Sequence, residues 1–139
     1  MMQKYTHWQS FLLLVGRLAF VTMFFVAGYG VVLKFHHFAH VLSRKGIPWS
    51  TFFLTVGSIA EFCGAILVLI GWYTRLGAWL LLAFTIAITL IFHSFLQFID
   101  LSMLTNRAQF FLNLSIAGGT LFLIVTGAGR YSVDNLRRK

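Results

Sequence analysis

The sequence predicts an all-α integral membrane protein: a four-helix bundle with a short interfacial helix between its first two spans. Three observations carry that reading. Hydrophobic residues make up 59% of the 139 and mean hydropathy is +0.85, with only 10% of residues charged, a composition far from that of a soluble domain. Four apolar runs are long enough to cross a bilayer, at about Phe11 to Leu33, Thr51 to Trp72, Leu76 to Phe98 and Gln109 to Gly127. Between the first two, KFHHFAHVLSRKGIPW is too apolar for a free loop. The length fits a single domain over residues 1–139.

Charge and cysteine usage narrow the functional classes. The net charge of +8 does not point to nucleic acid, because the cations lie at the ends of apolar runs and in the tail, where lipid headgroups are the ordinary partner. The lone cysteine, Cys63, rules out an intramolecular disulfide and a C-x-x-C redox pair. Lys4 followed by an apolar run without a small-residue cleavage pattern predicts an uncleaved first helix. An even number of spans puts both termini on one side. Lys4, Arg75, Arg130, Arg137, Arg138 and Lys139 then face Lys34, Arg44, Lys45 and Arg107 across the membrane, which favours cytoplasmic termini.

Taken in order, the first span contains Arg17, a permanent cation below the membrane surface. Such a group snorkels or pairs. Glu61 is a possible partner, offset in depth by about 7 Å of helix rise. Gly28 and Gly30 read as close-packing positions or a kink. In the connecting stretch, Phe35, Phe38 and Leu42 recur at helical spacing, with His36, His40 and Arg44 on another face; Gly46 and Pro48 end the helix and Trp49 anchors it at headgroup level. His36 and His40 have spacing that would allow a shared metal, yet neither an H-E-x-x-H pattern nor a nearby carboxylate supports one. Nothing in the sequence points to haem or flavin.

The second span has a single carboxylate, Glu61, near the middle of a run that covers roughly 30 Å as a helix. An ionised carboxylate at that depth costs several kcal/mol, so Glu61 must face other helices and be paired, hydrogen-bonded or protonated. Gly57, Glu61 and Gly64 share one face, so a neighbouring backbone can come close to the polar stripe. Two readings stay open: a proton-relay or ligand group, and a structural carboxylate that pins the bundle through an arginine.

The very short turn at GWYTR makes the second and third spans antiparallel neighbours. The third span carries His93 toward its far end, as a structural hydrogen-bonding group or as a proton carrier or donor to a ligand. Asp100, Asn106 and Arg107 follow in a loop. The fourth span carries Asn113 in the same half of the membrane as His93, so the two can share a pocket or act as interhelical glue. Gly118 and Gly119 lie inside the bundle or against a second copy. The chain closes with Arg130 and Tyr131 at the interface and a basic tail.

The order of these features resembles the DoxX family of small four-helix bacterial membrane proteins. The resemblance covers nearly the whole chain from Arg17 onward. It rests on Arg17, Lys34, G-I-P at Gly46 to Pro48, E-F-C-G-A at Glu61 to Ala65, and G-W-Y-T-R-L-G-A at Gly71 to Ala78. It continues through His93, L-N-L-S-I-A-G-G at Leu112 to Gly119, and G-A-G-R-Y-S-V-D at Gly127 to Asp134. It implies a multi-pass inner-membrane protein of a group named as oxidoreductases, with relatives tied to quinone-coupled thiosulfate oxidation or to oxidative-stress complexes. The implied fold also resembles the quinone-handling vitamin K epoxide reductases, but this chain lacks their paired cysteines.

Two functions of different class follow. In one, the bundle is a redox accessory that binds a quinone, with Glu61, His93 and Asn113 at its carbonyls and a partner redox protein supplying electrons. In the other it is a non-enzymatic scaffold or assembly factor in which Arg17 and Glu61 form an internal pin. A small-molecule or lipid carrier is a third class, and with four helices it would need a homo-oligomer.

Overall fold

The computed structural model describes residues 5–92 and 103–137. The elements are α1 (His7–Leu33), α2 (Phe35–Arg44), α3 (Ser50–Ile70), α4 (Thr74–Phe92), α5 (Met103–Thr126) and a short α6 (Val133–Leu136). Four of these helices are long and apolar enough to cross a membrane. Their outer faces carry Leu12, Val26, Ile59, Leu90, Phe122 and Val125, all exposed, as expected where the surrounding solvent is lipid rather than water.

Local chemistry accounts for the boundaries. Thr6 opens α1 with a reciprocal cap: its hydroxyl accepts from the Gln9 amide at 3.3 Å, and the Gln9 side chain accepts from the Thr6 amide at 2.9 Å. The predicted interfacial helix is present as α2, which buries Ala39 and Leu42 and leaves His36, His37, His40, Arg44 and Lys45 exposed. Trp49, before α3, is 79% exposed, in keeping with a headgroup anchor. A tight turn at Gly71 to Tyr73 joins α3 to α4.

The core is formed by Val21 and Phe24 of α1, Ala65 and Val68 of α3, Ala78 and Leu81 of α4, and Leu123 of α5. Small residues set how closely the helices approach. A Cβ on Gly64 would stand 3.0 Å from the Gly77 carbonyl oxygen, and one on Gly77 would stand 2.9 Å from the Gly64 oxygen, so α3 and α4 pack backbone to backbone. Gly28 of α1 instead makes room for side chains of α3, those of Phe62 and Glu61. Gly119 faces inward against the Phe20 ring, whereas Gly118 and Gly30 have open space beside them.

The start of α1 and the end of α5 lie together. The Tyr5 hydroxyl donates to the Thr126 carbonyl at 3.4 Å. Beyond α5 the chain folds back across the α3–α4 turn rather than leaving as a free tail. That fold-back creates the first of two buried polar regions.

Candidate functional site

The first region is at the end of the bundle where α1 begins and α5 ends. Asp134, in the short α6 that Ser132 caps, in turn caps α4: its carboxylate accepts from the Tyr73 amide at 2.8 Å, the Thr74 amide at 3.0 Å and the Thr74 hydroxyl at 2.8 Å. Its own amide donates to the Gly71 carbonyl at 2.8 Å. A carboxylate at a helix N-terminus satisfies orphan amide donors and complements the helix dipole. It also holds Tyr73 at a φ of 45°, unusual for a residue with a side chain. Arg137 stacks over Trp72 at 5.6 Å and Tyr73 at 6.0 Å.

Arg17 is buried beneath this clasp, at 3% exposure. Its Nη2 donates to the Tyr131 carbonyl at 2.7 Å and Asp134 supplies a favourable opposite charge. Nε and Nη1 have no hydrogen-bond partner among the described residues. The guanidinium passes over Gly71, whose φ of 73° and lack of a side chain both matter: a Cβ there would collide with Nη1 and with Ser132. Arg17 therefore reaches toward the end of the bundle at the α3–α4 turn and does not pair with Glu61. Antiparallel packing aligns Arg17 with Gly71 and Gly28 with Glu61, so the two charged groups are separated by about 15 Å of helix rise.

The second region is the interior of the bundle. Glu61 is 2% exposed on the inner face of α3. A Cβ on Gly28 would lie 3.2 Å from Glu61 Oε2 and 2.9 Å from the Phe62 ring, so the carboxylate and the ring share the space that this glycine leaves open. No hydrogen bond or ion pair reaches Glu61 from the described residues. Asn113 on α5 is 3% exposed; its Oδ1 accepts from Gln109 Nε2 at 3.2 Å, and its Nδ2 is buried without a partner. The contacts Phe20–Gly119 and Gly28–Glu61 fix the helix registers. They put Asn113 and Glu61 at similar depths, within roughly a helical turn. His93, the other residue expected in this layer, lies outside the described residues, as does Asp100.

Seen from the lipid, α3 has a third feature. Val32, Phe35, Thr55, Ser58, Ile59, Phe62, Cys63 and Ile66 line an open groove of about 360 Å³. The Cys63 side chain is exposed there. Among the described residues no three His, Cys, Asp or Glu side chains cluster as a metal site.

A family model, DoxX, matches residues 12–94. The chain belongs to the DoxX family. Two proteins of Escherichia coli (strain K12) agree with that placement. The inner membrane protein YqjF is 32% identical over 126 residues, covering 91% of this chain and 92% of its own length. The inner membrane protein YphA is 30% identical over 123 residues, covering 88% of each. No solved structure matches. With four apolar spans and these relatives, this DoxX protein is a multi-pass protein of the inner membrane.

Sequence reasoning singled out Arg17, Glu61 and Asn113, and all three are buried. It quoted Asp134 only as the end of a family motif and gave it no role, although Ser132 followed by Asp134 and Asn135 is a helix-start pattern. It also missed the lipid-facing groove, which no periodicity announces because it is made by the angle between helices.

Proposed function

We propose that this DoxX protein is the ligand-binding membrane subunit of a quinone-linked redox assembly, with Glu61 and Asn113 at the carbonyl end of the ligand. The observation that carries the reading is Glu61, a buried carboxylate without a partner among the described residues. A structural pin would be paired, and the arginine that might have paired with it is engaged elsewhere. A carboxyl group and a free amide N–H suit a carbonyl ligand: Asn113 Nδ2 donates to an oxygen, and Glu61, when protonated, donates to another or hands over its proton. A quinone would supply a ring that takes up two electrons from a partner protein. The side chains named here bind, orient and exclude water. His93 joins them on sequence grounds alone. The termini are placed in the cytoplasm on the distribution of Lys and Arg, which reporter fusions to each terminus would test.

The test is native mass spectrometry of the gently extracted protein together with thermal unfolding in detergent. Expected are a stoichiometric quinone mass and stabilisation by a quinone analogue, both lost in Glu61→Gln and Asn113→Ala. Unfolding that no quinone shifts, with a ligand-free mass, would overturn the reading. A clean bundle carrying a protein partner instead would favour a scaffold. The clasp built from Arg17, Tyr131 and Asp134 is the feature that supports this second reading, since it fixes the basic C-terminal segment in one place.

A further inference from the structure

We infer that the groove on α3 is a lateral portal through which a long-chain carbonyl ligand reaches Glu61 from the hydrocarbon, its aliphatic tail lying in the groove and Phe62 acting as the movable wall. The inference deepens the proposed function and rests on its reading of Glu61 as a ligand-facing group.

Four observations support it. The groove opens away from the bundle, on the surface that faces lipid, and its walls are apolar apart from Thr55, Ser58 and Cys63. Thr55 is already turned inward to its own helix, donating to the Thr51 carbonyl at 2.8 Å. A volume of about 360 Å³ is near the small end of ligand sites, roughly 300–1,000 Å³, and suits a narrow tail better than a helix of another subunit. Most directly, Phe62 belongs to both regions. Its ring lines the groove and also packs against Gly28 beside Glu61 Oε2. The ring is half-buried, and its neighbour Phe25 is tilted at 6.2 Å between centroids. A rotation of this one side chain would join the groove to the carboxylate through the gap left by Gly28.

The experiment is carboxyl labelling in native membranes. Dicyclohexylcarbodiimide partitions into the bilayer and adds the O–H of a protonated carboxyl group across its C=N bond, and Glu61→Gln identifies the modified residue by mass. Labelling of Glu61 should be at least tenfold faster than with a water-soluble carbodiimide. Phe62→Ala should speed it several-fold and Phe62→Trp should slow it. Alkylation of Cys63 with a membrane-soluble maleimide should slow it as well, by filling the groove. Equal rates with the two carbodiimides, or indifference to both Phe62 variants and to the Cys63 adduct, would overturn the portal. A quinone with a ten-carbon tail should slow labelling of Glu61 and alkylation of Cys63 together, whereas the tail-free ring should protect Glu61 alone. Protection of Glu61 without protection of Cys63 by the ten-carbon-tailed quinone would overturn the placement of the tail. Protection of neither residue by any quinone would sink the quinone of the proposed function and the tail placement with it, while the Phe62 and Cys63 effects would still judge the lateral route.

Discussion

Arg17 and Glu61 are equally hidden, at 3% and 2% exposure, yet the protein treats them in opposite ways. Around Arg17 a segment more than a hundred residues away in sequence folds back to offer the Tyr131 carbonyl and the Asp134 charge. Around Glu61 the described residues offer a glycine, a phenylalanine and apolar neighbours. A charge that is structural collects partners, because burying it unpaired costs several kcal/mol. A group reserved for a ligand or a proton must be left free to change its partner. Arg17 keeps Nε and Nη1 without a partner among the described residues, so the contrast lies in the one carbonyl and one opposite charge that it gains, and it supports reading the clasp end as structure and the interior as the place to look for function.

The largest expected effect is at the clasp. Gly71→Ala combines a positive φ with a collision against Arg17 and Ser132, and should destabilise by about 3 kcal/mol or more. Reversible unfolding in mixed micelles would measure it, and a neutral result would mean that the clasp is not formed. Asp134→Ala removes three accepted hydrogen bonds at the start of α4, with an expected loss of about 2 kcal/mol in the same assay. A double-mutant cycle with Arg17→Met and Asp134→Asn should show coupling of about 1 kcal/mol, whereas additivity would mean that the two charges do not act on each other. Glu61→Gln, which keeps shape and volume, should change stability by no more than about 0.5 kcal/mol in either direction, since no partner is lost. A loss above about 2 kcal/mol would make Glu61 a pin after all and erase the contrast with Arg17. Smallest of all, Cys63→Ser on the lipid face should leave the unfolding midpoint essentially where it was.

Much of this was legible in the chain. Hydropathy runs gave four spans, and the short GWYTR turn gave the antiparallel pairing of α3 and α4. The Phe35, Phe38 and Leu42 spacing gave an interfacial helix whose observed bounds are Phe35–Arg44. Of Gly28 and Gly30, read together as close-packing positions or a kink, only Gly28 is closely packed and Gly30 has open space beside it; Gly64 is closely packed as expected, and Glu61 and Asn113 are buried polar groups. Arg17 was recognised as needing an explanation, but its partner was not found. Helix rise alone brought Arg17 and Glu61 within reach because each was measured against the membrane rather than against the other helix. The C-terminal GAGRYSVD looked like an interfacial exit since nothing local reveals that its aspartate will cap a helix beginning at Thr74.

By itself the sequence determined that this chain has four helices long and apolar enough to cross a membrane, and that a carboxylate must be hidden in the middle of one of them. Those facts follow from the free energy of transferring each residue into hydrocarbon, which depends on the residue and its near neighbours. Only the tertiary structure decided that Arg17 meets Tyr131 and Asp134, that Glu61 is left beside Gly28, and that Phe62 stands between that carboxylate and the lipid. These outcomes depend on register, and register comes from how side chains of separate helices fit together. Gly64 and Gly77 let the backbones of α3 and α4 approach, Gly28 leaves room for the Phe62 and Glu61 side chains, and the alignment they permit chooses which polar groups can touch.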